Sequence, residues 1–134
     1  MPETFEFELV SPEKLQMARP AEQAVMPGLE GQFTVLAGHA PMIASLRPGV
    51  ITVSGGEGEP ARLFVKGGLA EVRPDRLIVL AEETLDPADA DAAELGREVE
   101  KLKASLRGLE NDYERRSFER EIAWREALLD NISA

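Results

Sequence analysis

The sequence predicts an all-β sandwich followed by an α-helical antiparallel hairpin, and thus an α+β chain in two parts. Short apolar runs with a period of two extend to Leu80, and glycine and proline punctuate the same region. From Asp86 onward the composition changes to Ala, Glu, Leu, Lys and Arg, which are strong helix formers. We therefore expect the sandwich in residues 1–85 and the hairpin in residues 86–134.

The predicted strands are short runs in which apolar residues alternate with polar ones. These runs contain Phe5, Phe7 and Leu9; Phe33 and Val35; Val50 to Val53; Leu63 to Val65; and Leu77 to Leu80. Pairs such as Pro27-Gly28, Pro48-Gly49 and Gly67-Gly68 are typical of the turns between strands. Because no helical stretch separates the runs, a parallel βαβ fold is excluded and a small all-β sandwich or barrel is favoured.

The predicted helices begin at Asp86, which can cap a first helix, with Pro87 at its first position. Gly108 and the pair Asn111-Asp112 predict a turn, and a second helix is expected over residues 113–131. A single bent helix is the alternative, because an interior glycine costs only about 1 kcal/mol relative to alanine. Apolar residues recur at three- and four-residue spacing: Leu95, Val99, Leu102, Leu106 and Leu109, then Phe118, Ile122, Trp124, Leu128 and Ile132.

Charge and composition exclude several classes of function. The net charge of −10 argues against a nucleic-acid partner, because phosphate binding depends on Lys and Arg. The chain has no cysteine and one histidine, so no metal site is expected and no cofactor is predicted. The N-terminus has no signal-peptide pattern and no apolar run is long enough to span a membrane, so we expect a soluble, non-exported protein.

No catalytic residue is predicted. His39 lies in the turn Gly38-His39-Ala40-Pro41, where it is either hydrogen-bonded within the loop or part of an interface. The neighbouring Glu82 and Glu83 lie at the end of an element, where solvated carboxylates are common. We therefore interpret the chain as a non-enzymatic protein that acts through binding.

Two segments resemble the epsilon subunit of bacterial F-type ATP synthases, whose mitochondrial counterpart is called delta. They are PGLEGQFTVLAGHAPMIASLRPGVITV, residues 27–53, and FVKGGLAEVRPDRLIVLAEE, residues 64–83. Gly-His-Ala-Pro, Pro-Gly and Gly-Gly-x-x-Glu-Val follow each other in the family's order and spacing. The resemblance implies a non-catalytic central-stalk (rotor) subunit that couples proton flow through a membrane ring to ATP synthesis.

The resemblance also implies partners and a place in the cell. The partners would be the central stalk (gamma) subunit, the ring of c subunits and, transiently, the catalytic alpha and beta subunits. The chain would be peripheral, at the cytoplasmic face of the bacterial inner membrane. Glu30, Gly31 and Gln32 would face the ring, and His39 and Ala40 the stalk. Because Gln32 and Thr34 stand where relatives often carry an acidic residue and glycine, the ring contact would be less electrostatic here.

For the hairpin, the resemblance implies two arrangements: folded down, or extended between catalytic subunits to restrain ATP hydrolysis. Arg115, Arg116 and Arg120 are the candidates for this inhibitory contact. Some relatives bind ATP through Ile/Leu-Asp-x-x-Arg-Ala at the start of the first helix. Here Asp91 is retained as a nucleotide-binding candidate, but Glu94 replaces the arginine, so ATP binding should be weak or absent.

Two other classes of function compete with this interpretation. A hairpin with an acidic tip, here Glu110 and Asp112, can reach into the channel of another macromolecular machine such as RNA polymerase. A small sandwich isomerase is the enzyme alternative, but the histidine and metal ligands that it needs are missing. The order of the two parts and the motifs of the first 85 residues argue against both alternatives.

Overall fold

The computed structural model describes residues 3–56 and 58–132 of the chain. The chain divides between Asp86 and Pro87 into a strand-built unit and a helical unit. The predicted sandwich followed by a helical hairpin is confirmed. No helix in the described residues is both long enough and apolar enough to cross a membrane.

The first unit consists of short strands, and each predicted apolar run forms one of them. The strands are β1 (Phe5–Val10), β2 (Leu15–Ala21), β3 (Gln23–Gly28), β4 (Gly31–Leu36), β5 (Met42–Leu46), β6 (Gly49–Ser54), β7 (Ala61–Val65), β8 (Gly68–Arg73), β9 (Arg76–Ala81) and β10 (Thr84–Leu85). The strands that the sequence pattern missed include β3 and β8, because both contain residues that usually mark turns.

Hydrogen bonds connect the strands in the order β10-β7-β6-β3-β5-β8-β9-β1-β2, and β4 pairs with β3. Neighbours in this order are antiparallel except β1 and β9, which are parallel, with Glu6 opposite Arg76 and Val10 opposite Leu80. This parallel pair needs no crossover helix, because the chain returns to β1 through the intervening strands of the sandwich.

The core lies between the inner faces of the strands. On β1, Phe5, Phe7 and Leu9 are buried while the alternate residues are only half-buried, which is the period-two pattern of a strand with one face in a core. Inward residues of β3 to β9 join the same cluster: Ala24, Met26, Val35, Leu46, Ile51, Val53, Val65, Ala70, Val72, Leu77, Val79 and Ala81. Full burial of one large apolar side chain contributes about 1.5–3 kcal/mol.

The prediction of a turn at Pro27-Gly28 is wrong, because both residues belong to β3 and the turn follows at Leu29 and Glu30. Pro27 lacks an amide donor, but its carbonyl accepts a hydrogen bond from the Arg47 amide at 2.9 Å. Gly68 likewise belongs to a strand, β8, where a β-carbon would collide with the Leu80 carbonyl of β9. Glycine at position 68 therefore permits the close pairing of these two strands.

The second unit contains a short 3-10 helix (Pro87–Asp89) and the helices α1 (Ala92–Leu106) and α2 (Asp112–Ile132). The expectation that Asp86 caps the first α-helix is wrong. Pro87 opens the 3-10 helix instead, and Asp91 caps α1 by accepting a hydrogen bond from the Glu94 amide. Asp86 and Pro87 thus mark the start of a helix, but that helix is the short 3-10 helix and not α1.

The predicted hairpin is confirmed and the single bent helix is wrong, since α1 ends at Leu106 and α2 begins at Asp112. Asn111 caps α2, because its side-chain oxygen accepts from the amides of Tyr113 at 2.8 Å and Glu114 at 3.1 Å. The predicted apolar stripes are buried at Leu95, Val99, Ile122, Trp124 and Leu128, and half-buried at the remaining stripe positions.

Candidate functional site

The 29–32 loop, which connects β3 to β4, contains the residues predicted to face a ring. Leu29, Glu30, Gly31 and Gln32 are all exposed, and the Leu29 side chain retains 65% of its accessible surface. Gly31 has φ +143°, a conformation that side-chain-bearing residues rarely adopt. The predicted candidates Glu30, Gly31 and Gln32 therefore form one exposed tip at the end of a hairpin whose strands enter the core.

A cleft of about 500 Å³ lies between this loop and β5. One wall is formed by Gly28 to Phe33 and the other by Met42 to Ser45. Leu29 and Ile43 contribute exposed aliphatic side chains, with Ile43 69% exposed. Glu30, Gln32 and Ser45 contribute polar side chains to the same cleft. Such a mixture can accept a loop that has both apolar and polar side chains.

His39 and Ala40, the predicted stalk contacts, lie in the turn between β4 and β5. The His39 Nδ1 atom is 2.9 Å from the Ala40 carbonyl, so Nδ1 carries the proton and donates this hydrogen bond. The turn is held by bonds from the His39 amide to the Leu36 carbonyl and from the Gly38 amide to the Pro74 carbonyl. The side chain of His39 is half-buried and that of Ala40 is exposed. This geometry fits a histidine that shapes a loop.

An exposed apolar row crosses the outer face of the sheet, and it was not singled out from the sequence. Register places Leu69 of β8 beside Leu80 of β9, Leu80 beside Val10 of β1, and Val10 beside Leu15 of β2. Leu69, Leu80 and Leu15 are 38%, 47% and 56% exposed. We call these four residues the outer apolar row. Contiguous exposed apolar surface of this kind is typical of an interaction site.

One signal for the row was present in the sequence. Residues Leu77 to Leu80 are all apolar, whereas a strand with one solvent-facing side alternates with polar residues. Leu77 and Val79 point into the core, so Ile78 and Leu80 must point outward. The other members of the row come from distant segments, and only the strand register brings them together.

The three predicted inhibitory arginines have different environments. The half-buried Arg115 donates from Nη1 to the carbonyls of Leu106 at 3.2 Å and Leu109 at 3.1 Å. It therefore satisfies one carbonyl at the end of α1 and one in the connection that follows, and so fixes the turn of the hairpin. Arg116 and Arg120 are exposed on α2, so they are the members of the set that a partner can reach directly.

Asp91, the nucleotide candidate, is the N-cap of α1. Its Oδ1 atom accepts the Glu94 amide at 3.1 Å, and the Glu94 side chain is exposed in the first turn. Within residues 3–56 and 58–132, no group of three or more His, Cys, Asp or Glu side chains is arranged to hold a metal ion.

A polar cluster joins the two helices of the hairpin. Arg125 of α2 donates from Nε to Glu98 of α1 at 2.8 Å and from Nη1 to Glu121 at 3.1 Å. Its guanidinium lies 4.3 Å from the centre of the Trp124 ring, a cation–π distance. Burial alone would lower the pKa of Arg125, but the hydrogen bonds to Glu98 and Glu121 outweigh it and raise that pKa. Arg125 therefore stays charged and links α1 to α2.

Relatives of known identity match both parts of the chain. The family model described as ATP synthase, Delta/Epsilon chain, beta-sandwich domain matches residues 4–87. The ATP synthase epsilon chain of Rhodospirillum centenum is 44% identical over 100% of this chain and 95% of its own length. That of Parvibaculum lavamentivorans is 46% identical over 87% of this chain and 89% of its own length.

Solved structures share the fold. A chain of the Euglena gracilis mitochondrial ATP synthase structure with OSCP, F1 and c-ring has a TM-score of 0.87 and 21% identity, covering 98% of this chain and 83% of its own length. A chain of the Tetrahymena thermophila mitochondrial ATP synthase central stalk and c-ring structure has a TM-score of 0.69 and 10% identity, covering 96% of each chain. The alternative of a hairpin factor for RNA polymerase finds no support in these comparisons. Because the family model spans the sandwich and a relative at 44% identity spans the whole sequence, this chain belongs to the ATP synthase delta/epsilon chain family.

Proposed function

We propose that this chain ties the central stalk of a proton-translocating F-type ATP synthase to the membrane ring, and so couples proton flow to ATP synthesis. As a member of the family it is a non-catalytic subunit of that complex. The complex is membrane-bound, and we place this subunit peripherally, at the cytoplasmic face of a bacterial inner membrane. Its function would then depend on which surfaces it touches and on how rigidly it presents them.

The outer apolar row is the observation that carries the proposal. Leu15, Leu69 and Leu80 are partly exposed on strands whose other face contributes to the core, so the sheet sets the backbone positions of these residues before any partner binds. Fixed apolar surface lowers the entropy cost of binding. We propose that the central stalk (gamma) subunit covers this row, with His39 and Ala40 at the margin of the contact.

The 29–32 loop is the proposed contact with the ring of c subunits. Support comes from the exposure of all four loop residues and from the cleft beside the loop, which offers aliphatic and polar groups together. Because Gln32 is uncharged and Glu30 is the single acidic residue in the loop, we expect this contact to depend only weakly on salt.

The hairpin is the proposed regulatory part, residues 86–134, which would meet the catalytic alpha and beta subunits transiently and restrain ATP hydrolysis. Arg116 and Arg120 are exposed cations on α2 and suit an acidic partner surface. Arg115 would act indirectly, by holding the turn between α1 and α2.

Direct regulation by ATP is not expected for this chain. Asp91 already accepts an amide hydrogen bond, and the exposed carboxylate of Glu94 would repel a phosphate at the same helix end. Calorimetry on the full chain should detect weak binding of ATP or none. Micromolar affinity would contradict this expectation.

A crosslinking experiment tests the proposed place of the subunit. The chain has no native cysteine, so Gln32→Cys gives this subunit a single thiol to which a crosslinker can be attached before the enzyme is assembled. We expect a product with the c-ring subunit. The control is Glu59→Cys, in the β6–β7 turn beside the Gln23 end of β3, which is opposite to the 29–32 loop. Failure of Gln32→Cys to crosslink in an intact complex, or equal yields at both positions, would contradict the proposal.

A further inference from the structure

We propose that Arg47 is a positioning residue, which fixes the 29–32 loop in the shape that meets the membrane ring. The partner named here rests on the proposed function, whereas the effect of Arg47 on the loop is independent of it. Arg47 follows β5, in the short connection to β6, and its side chain crosses to the end of β3.

Three hydrogen bonds connect the end of β3 and the start of the 29–32 loop to Arg47 and β5. Arg47 Nε donates to the Gly28 carbonyl at 3.1 Å, and the Arg47 amide donates to the Pro27 carbonyl at 2.9 Å. The Leu29 amide in turn donates to the Ser45 carbonyl at 2.9 Å. The β3–β5 pairing is short, with Gly28 opposite Leu46. The Arg47 side chain therefore reinforces the junction between the base of the loop and β5.

Close packing at the same place limits the ways in which the loop can move. A β-carbon at Gly28 would collide with the Gly31 carbonyl across the turn, and one at Gly49 would lie 2.7 Å from Pro27 Cβ. Gly28 and Gly49 are both buried. The backbone at the base of the loop is thus in direct contact with the residues that follow Arg47, while Leu29 and Glu30 at the tip are exposed.

Three substitutions distinguish the hydrogen bond that the Arg47 side chain donates from the positive charge that it carries. The bonding atom is Nε, and glutamine carries its amide nitrogen the same number of bonds from the backbone. Arg47→Gln therefore removes the charge but keeps a donor at this distance. Arg47→Lys keeps the charge and moves the donor one bond further out. Arg47→Met keeps the side-chain length as far as the Nε position and removes both the charge and the donor.

Amide hydrogen exchange on the full chain tests the positioning role. We expect Arg47→Met to speed exchange of the Leu29 amide about three- to tenfold, in line with the loss of one hydrogen bond. Arg47→Gln should stay near the native rate, and Arg47→Lys should resemble Arg47→Met. The Val79 amide in the core strand β9 serves as the reference for global unfolding, and Arg62→Met, at an exposed position on β7, is the matched control. Native exchange in Arg47→Met, or a defect in Arg47→Gln that Arg47→Lys lacks, would overturn the inference.

The assembled enzyme supplies the second readout. In the Gln32→Cys background, Arg47→Met should lower the yield of the crosslink to the ring at least threefold, and Arg47→Gln should restore it. If Gln32→Cys does not crosslink even with Arg47 present, the ring assignment fails and the exchange rates still decide the role of Arg47. If the crosslink forms equally well in Arg47→Met, Arg47 does not position the loop for the ring.

Discussion

Asp91 holds the start of α1 through one hydrogen bond, which its carboxylate accepts from the Glu94 amide at 3.1 Å. The first amides of a helix have no acceptor within the helix, and a carboxylate there also interacts favourably with the positive end of the helix dipole. The side chain is exposed, so its contribution comes from this local bond. Asp91 thus has a structural role that needs no nucleotide.

Replacing Asp91 by alanine should lower the free energy of unfolding of the hairpin by about 0.5–2 kcal/mol, because a helix cap is lost. Asp91→Asn should retain most of the stability, since asparagine also caps helices well. Asp89→Ala, at an exposed position of the preceding 3-10 helix, is the matched control. Urea unfolding followed by circular dichroism at 222 nm, a standard helix wavelength, measures the difference. An Asp91→Ala chain as stable as the native one would contradict the capping role.

The two helices form an element of their own, joined by ion pairs with different degrees of burial. Glu98 Oε1 lies 2.8 Å from Arg125 Nε, and the Arg125 side chain is 17% exposed. Lys103 Nζ lies 3.2 Å from Glu126 Oε2, and both side chains are about half exposed. Because its pKa is raised, Arg125 contributes stability that is fully present below its unfolded-state pKa and is lost only in strong alkali. The contribution of Arg125 to the free energy of unfolding of the hairpin should therefore stay constant with pH near neutrality.

Glu98→Gln should destabilise the hairpin by about 1 kcal/mol, since it weakens a charge-assisted bond to a mostly covered guanidinium. Glu126→Gln should cost less, about 0–0.5 kcal/mol, because exposed ion pairs contribute little. Thermal unfolding of both variants at low and high salt provides the comparison. Equal losses for the two variants would show that the burial of Arg125 does not matter.

The exposed arginines of α2 give a test at the level of function. Arg116→Ala with Arg120→Ala should leave the hairpin folded and raise ATP hydrolysis by the reconstituted complex, if these side chains make the proposed inhibitory contact. Arg115→Ala should also relieve inhibition, but with a measurable loss of helix stability, because it removes hydrogen bonds at the turn. Unchanged ATPase activity in the double variant would count against the contact.

The elements that could be predicted are those whose pattern is local. Phe5, Phe7 and Leu9 alternate cleanly, so β1 was evident, and the helical stripes gave α1 and α2. The strands β3 and β8 were hidden because Pro27 and Gly68, which usually mark turns, are tolerated there by close pairing with neighbours. The start of α1 was misplaced because Asp86-Pro87 began a 3-10 helix.

For the candidate site, the family resemblance pointed to the 29–32 loop and the His39 turn because both lie in short contiguous motifs. The structure shows an exposed loop and a turn at these positions, and their contacts with the ring and the stalk stay predictions. The outer apolar row was not predicted, because Val10, Leu15, Leu69 and Leu80 are neighbours only through the strand register. Arg47 was missed for the same reason, since nothing in the sequence connects it with Gly28.

At the scale of the whole molecule, the chain divides into two units between Asp86 and Pro87. The sandwich has a continuous core that draws on β1 to β9, and the hairpin has its own caps and ion pairs. Each unit is thus stabilised by interactions among its own residues. We propose that coupling belongs to the first unit and regulation to the second.

A chain ending after Asp86 should therefore fold by itself. We expect a strand-type circular dichroism spectrum and a single cooperative unfolding transition, as in other small domains. In a reconstituted complex this truncated chain should support ATP synthesis and lack the proposed inhibition of hydrolysis. An unfolded product would mean that the sandwich depends on the helices, and retained inhibition would mean that the regulatory surface lies elsewhere.

The parallel pairing of β1 with β9 has a consequence for biosynthesis. The partner of β1 on one edge, β2, follows within a few residues. The other edge of β1 stays unpaired until the ribosome has released β9, Arg76–Ala81. Contacts between such distant segments slow folding, and an open strand edge invites pairing with another nascent chain. Translation must therefore pass residue 81 before the first strand is protected on both sides, so a pause before that point would leave the growing polypeptide prone to aggregation.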